Sequence, residues 1–260
     1  MIKVSINEMD KIEHLFRNMH DTLILSCLQG HMGDAWTDNM ENPRLAIIQG
    51  GDFLFIAGDE TAEQVETMIA QILDVTGLKR GFVIPEKKSL GDIVVKVYGE
   101  DCKIISRYAI KKKQDEFDFV KLQAMIDKLP QGYTLRPIEG EWYDEVIKEG
   151  WSEDFVSNFE SKEDYERRGI GRIITHDGKV ISGASSYTRY NEGIEIEIST
   201  KEEYRRQGFA RIAGAALILA CRQRGLYPSW DAANMMSVQL AEKLGYEFDK
   251  PYDTYMIRKQ

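Results

Sequence analysis

Two glutamates alternate with isoleucines in the run Gly193–Thr200, which reads G-I-E-I-E-I-S-T. This alternation predicts a β-strand with Glu195 and Glu197 on one face and the isoleucines on the other. A carboxylate beside an alkylamine can act as a general base, because the amine has a pKa near ~10.4 and is charged at neutral pH. The alternative is that both glutamates lie on the solvated face of the strand.

The predicted strand runs into the basic turn K-E-E-Y-R-R-Q-G-F-A, which is followed by a predicted helix. The first backbone N–H groups of a helix are unpaired and its dipole favours negative charge, so the pattern predicts an anion site. Gly208 allows the backbone to approach a phosphate closely, and Ala210 avoids bulk at the next contact. Arg205 and Arg206 can add charge-assisted hydrogen bonds. The turn fits neither G-x-G-x-x-G nor the P-loop pattern.

These residues resemble the motifs of one superfamily. R-R-Q-G-F-A resembles the Q/R-x-x-G-x-G/A signature of the GNAT N-acetyltransferases, including the E-Y that precedes it. Further along, W-D-A-A-N-M-M-S-V-Q-L-A-E-K-L-G-Y resembles the second GNAT motif, N-x-x-S/A-x-x-L-x-x-K-L-G-F/Y. The two motifs occur in the order typical of the family. The segments P-S-W-D-A-A-N and R-Y-A-I-K make the chain similar to the zwittermicin A resistance type of GNAT protein.

The resemblance implies an enzyme: an acyltransferase that moves an acetyl group from acetyl-CoA to a primary amine of a small molecule within a ternary complex. A catalytically weak CoA-binding regulatory protein and an acetyltransferase for protein N-termini or lysines are the alternatives. Acetyl-CoA is the implied co-substrate, and no metal is expected. The implied cofactor-binding residues are Ile198, Ser199, Thr200, Arg205, Arg206, Gln207, Gly208, Phe209, Ala210, Asn234 and Ser237.

The resemblance also implies catalytic residues. Glu197 is preferred as the general base because it lies nearer the strand end, and Glu195 is second. A backbone N–H near Ile198 or Ser199 is expected to stabilise the oxyanion.

The general acid is where the chain departs from the family. Many members place a Tyr where this chain has Ala241. Ser237 can donate instead, or the thiolate, with a pKa near ~8.5, can leave without specific help. Tyr246 is expected to pack the last helix against the sheet. Asp231 either faces the acceptor or caps the segment that leads to the next helix.

The composition limits the partners. The 260 residues carry 34 Lys and Arg against 43 Asp and Glu, a formal charge of −9. This balance disfavours duplex nucleic acid and suits a cationic amine. No run is long enough to cross a membrane, the N-terminus does not resemble a signal peptide, and a cytoplasmic location is expected. Cys27, Cys102 and Cys221 are expected to be buried thiols. The oligomeric state stays open, with a homodimer among the alternatives.

The expected fold is α/β (α+β), with a smaller α/β domain at 1–130 and a GNAT domain with a mixed twisted sheet at 131–260. In the second half, periodicity and turn signals predict five strands and four helices. The strands are 171–176, 179–187, 193–200, 228–231 and 252–257, and the helices are 141–149, 162–168, 208–224 and 235–244.

The first half is predicted to contain helices at 9–18, 22–28, 61–73 and 119–129 and strands at 45–49, 53–57, 80–83, 93–98 and 103–110. T-A-E-Q at Thr61 resembles a weak capping box. The charge run Lys111-Lys-Lys-Gln-Asp-Glu is expected to be a solvated linker. The hairpin at R-L-A-I-I-Q-G-G-D-F-L-F-I-A-G resembles Arg172…D-G-K-V-I-S-G-A, so the first half is a candidate for a degenerate copy of the second, although any two hairpins look alike. The N-terminal half would shape the acceptor site.

Overall fold

The computed structural model describes residues 1–113 and 117–259. The chain forms two compact units: Met1–Arg107 together with the residues from Pro251 onward, and Tyr108–Lys250. This division differs from the expected boundary at 130/131. The segment after Arg107 belongs to the second unit because its helix packs there, and the end of the chain returns to the first unit because its last strand pairs there.

Among the described residues, the first unit contains five whole strands, the first six residues of a sixth, the end of the last strand of the chain and four helices. The strands are β1 (Ile2–Lys3), β2 (Asp34–Thr37), β3 (Leu45–Gly50), β4 (Phe53–Gly58), β5 (Arg80–Pro85) and β6 (Cys102–Ile110), and the helices are α1 (Asp10–Glu13), α2 (Thr22–Leu28), α3 (Val65–Thr76) and α4 (Lys88–Tyr98). Strands β2, β3 and β4 pair antiparallel, and β4 and β5 pair parallel. The helix α3 buries Met68, Ile69 and Ile72 in the core of this unit.

The second unit is built around a five-stranded sheet. Its elements are α5 (Phe119–Ile126), β7 (Tyr133–Pro137), α6 (Glu141–Val146), α7 (Lys162–Arg168), β8 (Gly171–His176), β9 (Lys179–Tyr190), β10 (Gly193–Thr200), α8 (Phe209–Gln223), β11 (Tyr227–Ser229), β12 (Asp231–Ala232), α9 (Met235–Leu244) and β13 (Phe248–Arg258), the last of which continues into the first unit. The sheet order is β11-β10-β9-β8-β7. Only β10 and β11 are parallel; the other pairs are antiparallel.

The helix α8 fixes one face of this sheet. It packs against β8, β9 and β10, and it buries a row of small and apolar residues that includes Ile212, Ala213 and Leu217. The isoleucines of β10 lie in the same core, so the strict alternation read from the sequence is confirmed. The opposite face therefore carries the two glutamates of β10.

The fold is α/β with mixed sheets, as expected, and the two units repeat one order of elements. The order β2-β3-β4-α3-β5-α4 in the first unit corresponds to β8-β9-β10-α8-β11-α9 in the second, where the short strand β12 lies between β11 and α9. In both units the strand before the long helix pairs parallel with the strand after it. By this order the hairpin β3–β4 corresponds to β9–β10. The sequence comparison matched it with β8–β9 and was displaced by one strand.

One expected strand of the first unit is a helix. Residues 93–98 are rich in β-branched side chains, which favours a strand, but they form the second half of α4. Leu90 and Val94 lie one helical turn apart and are buried, so amphipathic packing overrides β-propensity here. The expected capping box at Thr61 is also wrong. The side chain and N–H of Thr61 bond Asp59, and α3 begins after Gln64.

The lysine run after β6 lies outside any helix or strand and is largely exposed where the structure describes it, and its lysines make specific contacts. Lys111 and Lys113 form ion pairs with Glu247, and the N–H of Lys113 donates to the Tyr227 hydroxyl at 3.0 Å. Lys112 lies over the ring of Tyr190. The remainder of the predicted linker, residues 114–116, lies outside the described residues.

Asp164 anchors α7 and gives a first testable prediction. Its carboxylate is 6% exposed and accepts hydrogen bonds from Arg168 at 2.6 and 2.7 Å and from Arg167 at 2.7 Å. The hydrogen bond from Arg168 is the largest cause that lowers the pKa of Asp164 from 3.8 to about 2. A lowered carboxyl pKa stabilises the fold above pH 4, and this contribution is lost as the pH falls towards 2.

We therefore expect Asp164→Asn to lower the free energy of unfolding by about 2 kcal/mol at pH 7. Urea unfolding at pH 7 and at pH 3 measures this difference, which should shrink at the lower pH. Asp249→Asn, on an exposed aspartate, serves as the control and should change little. Equal losses at both pH values would show that the ion pair is not the cause.

Candidate active site

The strands β10 and β11 separate within the sheet of the second unit. They pair only over Gly193–Glu195 and Tyr227–Ser229, whereas β10 continues to Thr200. The chain leaves β11 after Ser229, and the next strand, β12, pairs with the end of β6 instead. A register shift against β9 between Glu195 and Ile196 coincides with the point of separation. The β10 edge from Ile196 to Thr200 thus faces an opening that an extended ligand can enter as an added strand.

The turn at the end of β10 has the backbone of an anion site. Gly208 caps α8 with a φ of 91°, and Arg206 is in the left-handed region with a φ of 63°. Left-handed residues in a tight turn direct successive N–H groups towards one point, and the N-terminus of α8 adds its unpaired donors. A left-handed arginine is strained, and such strain is characteristic of functional turns.

The side chains of this turn divide into two groups. Arg205, Arg206 and Gln207 are exposed, with Arg205 donating to the Thr200 carbonyl and Gln207 to the Glu203 carbonyl. Phe209 is 2% exposed and packs against Tyr133, so only its backbone is available to a ligand. The two arginines are available to phosphate groups.

Arg211 is a site residue that the sequence reading missed. Its Nη2 atom lies 3.7 Å from the position that a Cβ on Gly208 would occupy, so the guanidinium reaches the turn. Its Nε atom is buried and has no hydrogen-bond partner among the described residues. The signal was the arginine directly after R-R-Q-G-F-A, one residue beyond the quoted motif.

The glutamates of β10 do not lie on a solvated face. Glu195 is 7% exposed and Glu197 is half-buried. A 3₁₀ helix, Glu153–Phe155, packs on this side of β9 and β10. Its Phe155 ring lies so close to Gly183 that a Cβ there would meet the ring at 2.7 Å. The solvated-strand alternative is therefore wrong for Glu195.

The segment that covers this face is tied to β9 and to the end of β10. The Ser185 hydroxyl donates to the Phe155 carbonyl at 2.6 Å. At the other side, Lys201 forms an ion pair with Glu149, which also accepts from the Trp151 indole at 2.7 Å. These contacts hold residues 149–155 over the glutamate face of β10.

The second motif forms the N-terminus of α9. Asn234 is the N-cap, and its Oδ1 accepts from the N–H of Ser237 at 3.0 Å. The Ser237 hydroxyl accepts from the Trp230 indole at 3.1 Å, which leaves its own proton free to donate. Asp231 lies in β12 and is not the cap of this helix.

Position 241, where the resemblance led us to look for a tyrosine, offers no proton donor. Ala241 is fully buried in the core of the second unit. Tyr246 donates to the Pro228 carbonyl at 2.7 Å and packs against Trp230, so its expected structural role is confirmed. Burial raises the pKa of Tyr246 well above its usual value.

The remaining candidate groups do not form a further site. Among residues 1–113 and 117–259, no group of three His, Cys, Asp or Glu side chains has an arrangement that could hold a metal ion. No helix in the described part of the chain is long and apolar enough to cross a membrane. Cys27 and Cys221 are buried thiols, as expected, and burial raises the pKa of each to about 12. Cys102 is only partly buried, contrary to expectation.

The family is decided by comparison with known proteins. The family model described as GNAT acetyltransferase matches residues 13–255. The chain belongs to the GNAT acetyltransferase family. It is thus an acyltransferase of a family that uses acetyl-CoA as co-substrate.

Individual relatives of this GNAT chain agree with that assignment. A GCN5-related N-acetyltransferase-like protein from Streptococcus suis is 39% identical, with a TM-score of 0.88 over 97% of this chain and 99% of that one. An uncharacterized N-acetyltransferase of Bacillus subtilis, YdfB, is 26% identical over 86% of this chain and 85% of its own length. A tandem GNAT protein from the clavulanic acid biosynthesis pathway shares the fold alone, at 10% identity and a TM-score of 0.54 over 99% of this chain and 97% of that one.

Within this GNAT chain the first unit lacks the opening of the second. Parallel pairing of β4 with β5 continues to the end of β5, where the Glu86 N–H donates to the Ile56 carbonyl at 2.8 Å. The Glu86 carboxylate also accepts from the Gly58 N–H at 3.2 Å. The turn after β4 carries Asp59 and Glu60, where the turn after β10 carries arginines. A closed strand pair and an acidic turn do not suit a pyrophosphate.

Proposed function

We propose that the chain transfers an acetyl group from acetyl-CoA to the primary amine of a small molecule, with the reaction centred on β10 of the second unit. The observation that carries the proposal is the separation of β10 from β11 directly before a basic, left-handed turn. An extended pantetheine arm fits the free β10 edge, and the turn offers donors to a pyrophosphate.

Two observations support the fit of the cofactor's phosphates. Gly208 has no side chain at the one position where a Cβ would fill the space in front of Arg211. The Nε of the same guanidinium is buried and has no hydrogen-bond partner among the described residues, and a buried donor without a partner costs about 1–3 kcal/mol. A phosphate bound at the turn would give this guanidinium a partner. We assign the pyrophosphate to Arg205, Arg206, Arg211 and the backbone from Gln207 to Ala210, and the pantetheine arm to Ile198–Thr200 with Asn234 and Ser237 beside it.

The groups of this chain can perform the proton transfers of an amide-forming reaction. Acetyl-CoA supplies the acyl group as a thioester. A carboxylate on β10 takes a proton from the acceptor's ammonium, and the amine nitrogen then forms a bond to the acyl carbon while the carbon–sulfur bond breaks. A backbone N–H near Ile198 or Ser199 donates to the carbonyl oxygen. The second proton that the nitrogen loses reaches the departing sulfur through the Ser237 hydroxyl, which gives its own proton to the sulfur and takes up that of the nitrogen.

The acceptor class rests on charge and on the subtype that the sequence resembles. The net charge of −9 and the carboxylates of β10 favour a cation over an anion. The similarity to the zwittermicin A resistance type supports a small molecule rather than a protein. The proposal involves no nucleic acid, no membrane and no metal. It places the enzyme in the cytoplasm and allows a homodimer.

A substrate panel tests the proposal. We expect at least one primary amine to be acetylated in the presence of acetyl-CoA, with stoichiometric release of free thiol and an acetylated product detected by mass spectrometry. The matched controls are the same compounds with a hydroxyl in place of the amine, which should not react. Acetyl-CoA binding without acetylation of any amine would favour a catalytically weak CoA-binding regulatory protein. Acetylation of proteins alone would favour an acetyltransferase for protein N-termini or lysines.

A further inference from the structure

A row of polar side chains crosses three strands where β10 and β11 separate. Thr188 on β9 lies directly opposite Glu195, and Ser229 on β11 lies directly opposite Glu195 on its other side. Directly paired residues point to the same face of a sheet, with Cβ atoms about 5 Å apart. The carboxylate therefore stands between two hydroxyls on the last rung before the opening.

This row is buried. Thr188 and Ser229 are each 2% exposed, and Glu195 is 7% exposed. A carboxylate removed from water costs free energy unless hydrogen-bond donors surround it. Glu195 was the second choice as a base by sequence position, but it is the more buried carboxylate of β10 and has a hydroxyl directly opposite it on each neighbouring strand.

The two hydroxyls differ in their other contacts. The Ser229 hydroxyl shares a hydrogen bond of 2.9 Å with the hydroxyl of Tyr190, which is 4% exposed. The Thr188 hydroxyl is buried and has no hydrogen-bond partner among the described residues. An unused buried hydroxyl directly opposite a carboxylate is a donor that this carboxylate can recruit, since a buried donor left unpaired costs free energy.

We propose that Thr188 and Ser229 are positioning residues, which orient the Glu195 carboxylate as the proton acceptor of the reaction, and that Tyr190 orients Ser229. This inference rests on the proposed function, because that function supplies the amine whose proton Glu195 would accept. The arrangement of the row itself does not depend on it.

The other titratable groups around the row are mostly neutral phenols. Tyr190 on β9, Tyr227 on β11 and Tyr246 after α9 surround it, and burial raises the pKa of Tyr190 to about 12. Charged groups also lie on the neighbouring elements. They are Lys112 over the Tyr190 ring, Glu192 before β10, Glu197 further along β10, and Glu153 and Asp154 on the covering 3₁₀ helix.

The test is a direct titration of Glu195 in the full chain. Protein labelled with ¹³C at the glutamate carboxyls is titrated by NMR, and Glu195→Gln identifies the resonance. Hydroxyl donors stabilise the charged carboxylate, so Thr188→Val and Ser229→Ala should each raise the pKa of Glu195 by about one unit. Thr188→Ser keeps the donor and should restore the wild-type value. Tyr190→Phe should act in the same direction as Ser229→Ala, and by less.

Thr254→Val is the matched control. Thr254 is also fully buried with an unpartnered hydroxyl among the described residues, but it lies in the first unit, so its loss should leave the Glu195 titration unchanged. The proposal is overturned if Thr188→Val and Ser229→Ala titrate like wild type, or if Thr188→Ser behaves like Thr188→Val. Amide spectra establish that each variant is folded. If Thr188→Val does not fold, Ser229→Ala still tests the same carboxylate.

The titration needs neither acetyl-CoA nor an amine, so it separates this inference from the proposed function. If no amine is acetylated, the proposed function is wrong. The pKa changes of Glu195 in the variants still show whether Thr188 and Ser229 donate hydrogen bonds to its carboxylate. With an acceptor in hand, the acidic limb of the kcat/KM profile should move upward with the same variants and return with Thr188→Ser. If the pKa of Glu195 changes in these variants while the acidic limb of the kcat/KM profile does not move, Glu195 is not the proton acceptor of the reaction.

Discussion

Gly208→Glu is expected to weaken acetyl-CoA binding by at least about 100-fold, or roughly 2.7 kcal/mol. The wild type should bind one acetyl-CoA per chain, because only the second unit combines an open strand pair with a basic turn. Glutamate at position 208 puts a side chain on left-handed backbone, in front of Arg211, and faces the phosphates with a negative charge. Isothermal titration calorimetry measures both the affinity and the stoichiometry.

The control for this variant lies at the other end of the same helix. Gly225 follows α8 with a φ of 65°, and a Cβ there meets nothing within 4 Å. Gly225→Glu thus introduces the same charge on similarly strained backbone, and it should bind acetyl-CoA like wild type. Equal loss in both variants would indicate damage to α8 rather than to a phosphate site. A wild type that binds no acyl-CoA, or two per chain, would contradict the assignment of the site.

Glu195→Gln is expected to lower kcat by about 10²–10⁴-fold with unchanged acetyl-CoA affinity, since a positioned general base contributes about that much. The glutamine has the same shape and hydrogen-bonds with the same row, but it cannot accept the amine's proton. Steady-state kinetics on the acceptor found in the panel measure the loss, and calorimetry measures the binding.

Glu197→Gln is the matched comparison on the same face of β10. Because Glu197 is half-buried and lies one rung into the opening, we expect a smaller loss that falls mainly on the KM of the amine. The reverse order of effects would return the role of base to Glu197, as the sequence position alone had suggested. No loss in either variant would remove both carboxylates from the chemistry.

Much of the second unit could be read from the sequence because its signals are local. The bounds of α7, β8, β10 and α9 agree with the expectations from caps, glycines and periodicity. The first unit was harder. Residues 93–98 carry a β-branched run whose helical spacing is seen only together with Leu90, and the two-residue strand β1 is too short to leave a pattern.

The unit boundary shows a different limit. A charge run and a proline-ended helix suggested a division at residue 130, yet β6 leads into the second unit and β13 returns to the first. Such a return depends on pairing between distant segments, here the residues 80–83 with 255–258. No local composition records it.

The sequence by itself determined the family, the basic glycine-containing turn after β10 and the face on which Glu195 and Glu197 lie, because these follow from residue order within a few turns of chain. Only the tertiary structure decided which carboxylate is buried. Glu195 and Glu197 are equivalent in an alternating strand, and they differ because Thr188 and Ser229, from two other strands, meet the first of them on the last rung before the sheet opens. Burial and hydrogen-bond partners are properties of neighbours brought together by folding, so the chemistry of each glutamate is set by residues that are remote from it along the chain.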